Sequence, residues 1–136
     1  MIRIAIGLAV FAIMTTQASA YTNWWRGKLP ACDEPQVLAK VQRKIAYGAP
    51  RVLGYDLAIE TFDAIAQDAV KAYGRSLIDR RYCSAQAWLS NGRASEVVYL
   101  IEAKQGFASI GWNVESCLPA YDRWRVYDAW CRSIRP

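Results

Sequence analysis

The sequence predicts an α+β domain in which one N-terminal helix packs on a roughly four-stranded antiparallel sheet stapled by disulfides. Three observations predict it. Strand-like alternation recurs in three consecutive segments between Arg80 and Cys117, an amphipathic stripe of helical spacing follows Asp33, and four cysteines lie in a chain of only 136 residues. A chain of that length holds a single domain.

Residues 1–20 read as a signal peptide rather than as part of that domain. Arg3 supplies a positive n-region, Ile4 to Met14 an unbroken apolar core, and Ala18-Ser19-Ala20 the small-x-small pattern of a cleavage site. The apolar core would reach only about half of the roughly 30 Å hydrocarbon layer, so a lasting anchor is not expected. The domain is then residues 21–136, placed in the periplasm or secreted, with no stable membrane insertion after cleavage.

Tyr21 to Pro30 follows neither period and is broken by Gly27 and Pro30, so it reads as an arm. Neighbours in an extended segment point to opposite faces, so Trp24 and Trp25 cannot both turn inward. One of them should cover a sheet edge or meet a partner, beside the cations Arg26 and Lys28.

Asp33-Glu34-Pro35 opens the helix with a capping carboxylate and a proline whose missing N–H costs nothing in the first turn. Val37, Leu38, Val41 and Ile45 form its buried stripe. Lys40, Arg43 and Lys44 take the opposite face and are expected to be solvated, and Gly48 and Pro50 to end the helix. Leu57 to Tyr73 fits two periods: Leu57, Ile59 and Thr61 alternate as in a strand, whereas Ala58, Phe62, Ile65, Ala69 and Tyr73 form a helical stripe. We read a strand through about Ala66 and a loop to Asp79, because the sheet gains a fourth member that way.

From Arg80 to Leu89, Cys83, Ala85, Ala87 and Leu89 share one face while Tyr82, Ser84, Gln86 and Trp88 share the other. Ser90-Asn91-Gly92-Arg93 is a hairpin turn, since Asn and Gly accept positive φ. Glu96 to Glu102 is apolar on both faces, as expected of a strand flanked on both sides. Alternation resumes at Ala108 and runs through Ile110, Trp112 and Val114 to Cys117. After the break at Leu118-Pro119-Ala120, Tyr121 to Asp128 reads as a short terminal strand or flap, with Trp124 and Val126 on one side and Arg123, Arg125 and Tyr127 on the other. Arg132 to Pro136 reads as a frayed tail. The layer order is that of cystatin-like and NTF2-like rolls, an analogy that carries no function.

An even number of cysteines in a short exported chain implies disulfides, and the chain has neither a C-x-x-C pair nor a histidine to build the usual zinc site. Cys32, Cys83, Cys117 and Cys131 allow three connectivities, and spacing alone does not choose among them. Cys117 with Cys131 closes a short loop, and Cys32 with Cys83 ties the N-terminal segment to the sheet; this is the favoured pairing.

The missing histidine also excludes Ser-His-Asp and Cys-His arrangements and haem on a proximal His. No G-x-G-x-x-G or P-loop follows a strand, so no cofactor and no metal are expected. Carboxylates remain, with Asp56, Glu60 and Asp63, or Glu102 and Glu115, as candidates for a minor hydrolase reading. Two patches, Trp24-Trp25-Arg26-Gly27-Lys28 and Arg123-Trp124-Arg125-Val126-Tyr127, interleave rings with cations. Such surfaces suit protein hot spots and the apolar faces of sugars. Net charge is a modest +5, which argues against nucleic acid. The expected function is therefore a non-catalytic protein that binds an envelope protein as an inhibitor or accessory subunit; the alternative is a module for envelope glycan or peptidoglycan.

The run Arg81-Tyr82-Cys83-x-Ala85, then Val98-Tyr99-x-Ile101, then Gly111-Trp112-x-Val114-Glu115-x-Cys117 and the last Cys131 resembles a group of small exported, cysteine-containing alphaproteobacterial proteins. The resemblance covers roughly Arg80 to Cys131. It implies export, two disulfides and an envelope setting, and it implies no activity.

Overall fold

The computed structural model describes residues 29–71 and 77–136; residues 1–20, expected to be a signal peptide, the segment carrying Trp24, Trp25, Arg26 and Lys28, and residues 72–76 lie outside the described residues. Helix α1 (Pro35–Val52) precedes strands β1 (Ile59–Lys71), β2 (Arg80–Leu89), β3 (Ala94–Ala103) and β4 (Trp112–Cys117), with short 3₁₀ turns at Phe107–Ser109 and Ala129–Ile134. The strands form one antiparallel sheet in the order β1-β2-β3-β4. The predicted α+β architecture is the observed one, and both disulfides, Cys32–Cys83 and Cys117–Cys131, pair as favoured.

The helix stripe forms as its spacing predicts. Val37 and Val41 are fully buried, and Leu38 and Ile45 pack partly buried against them. They cover the sheet face made by Ala85, Ala87, Val97, Tyr99, Ile101 and Val114. The opposite face is covered as well: Tyr82, Val98, Leu100 and Cys117 lie under Cys131 and Ile134 of the C-terminal turn. That second cover is why β3 is buried without interruption from Val97 to Ile101.

Several local expectations are corrected. Glu34 occupies the N-cap but makes no side-chain capping bond, and the helix continues through Gly48 and Pro50 to Val52. Proline this late in the helix removes one hydrogen bond. Burial of Ala49 and the bond from the Leu53 N–H to the Ala49 carbonyl, 2.7 Å, hold the last turn in place.

Strand β1 runs to Lys71, past the expected end near Ala66, and its register against β2 shifts three times. Those bulges explain the double periodicity. Each adds one residue to one side of the ladder, so Ile59, Phe62 and Ile65 reach the helix-covered core at intervals of three rather than two. The apparent helical stripe is a bulged strand.

Strand β4 begins at Trp112, so Ala108 and Ile110 are not strand residues. Phe107–Ser109 turns instead, with Ala108 and Ser109 at positive φ and Phe107 96% exposed. Gly106 allows that turn because a Cβ there would lie 1.9 Å from the Ile110 carbonyl oxygen.

Finally, residues 121–128 form successive turns rather than a strand, and the tail is docked rather than frayed. Ile134 is buried, and the Arg135 guanidinium donates to the Glu96 carboxylate at 2.8 Å and to the Trp130 carbonyl at 3.0 Å. Asp128 accepts from the Ala129 N–H and from Arg132; these bonds, the backbone one first, hold its carboxyl below the usual range.

Candidate functional site

Where the second half of α1 runs beside the edge strand β4, a groove of about 860 Å³ opens to solvent, with the chain from Leu118 to Tyr127 as its third wall. Its apolar lining is Ile45, Ala49, Val52, Leu53, Leu57 and Leu118. The helix supplies Ile45, Ala49 and Val52; had it stopped at Gly48, the groove would have lost Ala49 and Val52 from its wall.

Lys40, Arg43 and Lys44 line the same groove; Arg43 is exposed as expected, whereas Lys40 and Lys44 are partly buried and reach β4. The Lys40 ammonium donates to the Trp112 carbonyl at 3.1 Å and lies 4.1 Å over the Trp112 ring. Burial, followed by the charges of Arg43 and Lys44, lowers its pKa. Lys44 pairs with Glu115 at 2.6 Å. Arg43 has no ion pair among the described residues. Asp122, also in the lining, aims its carboxylate at its own loop and accepts from the Val126 N–H at 2.9 Å and the Tyr127 N–H at 3.4 Å.

Ser116 lines the groove from β4, is only 7% exposed, and its hydroxyl has no hydrogen-bond partner among the described residues. Nothing in the sequence marked this serine.

The predicted patch is divided by the fold. Arg123, Trp124 and Arg125 are exposed, Trp124 at 74%. Tyr127 instead turns inward, and its hydroxyl donates to the second Glu115 oxygen. Burial first, and then that bond, push its pKa well above the ordinary tyrosine value. The Trp124 indole N–H donates to the Val52 carbonyl at 3.0 Å, one of the last-turn carbonyls that a helix leaves without an internal partner. Tyr47 and Arg51 sit on that same last part of α1, with the guanidinium 3.7 Å over the exposed ring.

The carboxylate candidates are dispersed or engaged. Glu102 pairs with Arg80 at 2.7 Å, and Glu115 is shared between Lys44 and Tyr127. Asp56, Glu60 and Asp63 are exposed on and before the edge strand β1. Among the described residues, the cluster of Cys117, Asp122 and Cys131 has metal-ligand proximity, but both sulfurs are already joined to each other.

Tyr99 and Tyr127 yield a pH prediction. Burial pushes both hydroxyls above the ordinary value of about 10, so the folded state keeps protons that the unfolded state loses. Their stabilising contribution is complete below about pH 10 and is lost as the pH rises beyond it. Phenolate absorbance should therefore rise first for the accessible tyrosines, and rise again only as circular dichroism reports unfolding. A single titration of all tyrosines near pH 10 with the fold intact would contradict this.

No protein-family model, curated protein or solved structure matches this chain. No helix among the described residues is long and apolar enough to cross a membrane.

Proposed function

We propose that this chain is a non-catalytic exported protein of the bacterial envelope that acts by binding another protein, as an inhibitor or an accessory subunit. Trp124 carries this reading. Its indole is exposed yet tethered to the end of α1, so a large apolar surface is presented with little rotamer entropy left to lose on contact. Arg123 and Arg125 flank it in sequence, and Tyr47 and Arg51 lie at the same end of the helix; Trp, Tyr and Arg are the residues on which binding energy concentrates. Two disulfides and the leader-like pattern of residues 1–20 support an extracytoplasmic setting, periplasmic or secreted. Carboxylate hydrolysis is less favoured, because Glu102 and Glu115 are neutralised by ion pairs.

The test is capture from a periplasmic extract with the native chain and with Trp124→Ala. The native chain should retain a discrete protein that the variant loses. The variant should still fold, destabilised by about 1 kcal/mol for the lost indole bond. Equal retention by both chains would count against the proposal. Sedimentation with peptidoglycan, with no protein captured, would move the same ring to the glycan reading, since sugar faces also stack on exposed indoles.

A further inference from the structure

We infer that the groove between α1 and β4 is a binding site for a small anionic amphiphile, an acyl chain or similar apolar body ending in a carboxylate. Its volume of about 860 Å³ lies within the range of small-molecule pockets, which is roughly 300–1,000 Å³. The lining divides in the way such a ligand does. Ile45, Ala49, Leu53, Leu57 and Leu118 offer apolar surface, while the cations enter from one side of the helix.

The sign of the head group follows from the charges. Lys44 is neutralised by Glu115, and the Asp122 carboxylate is occupied by its own loop. Lys40 meets only a carbonyl and a ring, both uncharged, and Arg43 has no acidic partner among the described residues. The bonds to Asp122 come from uncharged backbone N–H groups, so its charge offsets one of these cations and a net positive charge remains for an anion; burial first, and then the charge of Arg43, lowers the Lys40 pKa. Ser116 is the independent observation. Its buried hydroxyl has no partner among the described residues, which costs stability, and a rotation of the side chain toward this wall would let a ligand oxygen supply one.

Calorimetry at pH 7.5 with decanoate, and with decyltrimethylammonium as the same tail under the opposite charge, tests the assignment. Both are used below their micelle concentrations. Decanoate should bind saturably at one per chain, and the cationic probe about tenfold more weakly or not at all. Arg43→Glu should weaken decanoate about tenfold and shrink the preference between heads. Ser116→Ala should weaken it by about threefold to tenfold while folding normally, because the change removes an unpaired buried hydroxyl. The inference is overturned if neither probe saturates, if the two heads bind equally, or if both variants bind decanoate as the native chain does. Trp124 lies outside the groove lining, so this result and the protein-capture result stand or fall separately.

Discussion

Replacing Cys32 and Cys83 together by alanine is expected to destabilise the fold by about 4 kcal/mol, the chain-entropy value for the 51-residue separation that this disulfide spans. Domains of this size are stable by only about 5–15 kcal/mol, so the variant should be partly unfolded at 37 °C or close to it. The position of the bridge explains the size of the effect. Cys32 stands just before α1 and Cys83 on β2, so the bond holds the start of the helix against an inner strand. The Cys117–Cys131 bridge spans 14 residues and should contribute about 3 kcal/mol by the same relation. Urea unfolding of the two double-alanine variants gives both numbers. A loss below about 1 kcal/mol for Cys32/Cys83 would mean that packing of α1 alone fixes the helix on the sheet.

Tyr99 provides the second large effect. It is fully buried in the middle of β3, and its hydroxyl donates to the Cys32 carbonyl at 2.9 Å. Tyr99→Ala should cost about 3–5 kcal/mol through the cavity and the lost contacts. Tyr99→Phe keeps the ring and should cost about 1–2 kcal/mol, because the buried carbonyl loses its donor. The disulfide and this bond anchor the same residue, so their effects should not add. Measured in the Cys32→Ala, Cys83→Ala background, Tyr99→Phe should cost less than in the native chain, as the freed segment can find water for its carbonyl. Strict additivity would show that the two ties act on separate parts of the structure.

Strands β2 and β3 were legible because each lies inside the sheet with an unbroken ladder, so residue period and face coincide from Arg80 to Glu102. Strand β1 was only half legible. Its bulges displace the apolar residues to intervals of three, and a helix writes nearly the same spacing. The C-terminal segment was misread for a related reason. Trp124, Val126 and Tyr127 alternate as a strand would, but Arg125 and Asp128 take positive φ and break the chain into turns. The candidate surface suffered accordingly: Trp124 was found on the outside, Tyr127 was not, and Ser116 and the groove were not anticipated.

Taken by themselves, the residues determined what local chemistry determines: an amphipathic stripe, alternating strands, an Asn-Gly turn, and cysteines with no histidine beside them. Each depends on neighbours a few positions apart, and propensity and periodicity report such neighbours directly. Only the tertiary structure decided where α1 ends, that Lys40 and Lys44 reach β4, and that an open groove separates the helix from β4. Those outcomes rest on contacts between residues some seventy positions apart, Lys40 with Trp112 and Lys44 with Glu115. Burial against a distant strand outweighs the small local cost of a late proline or a desolvated lysine, and no local pattern records that balance.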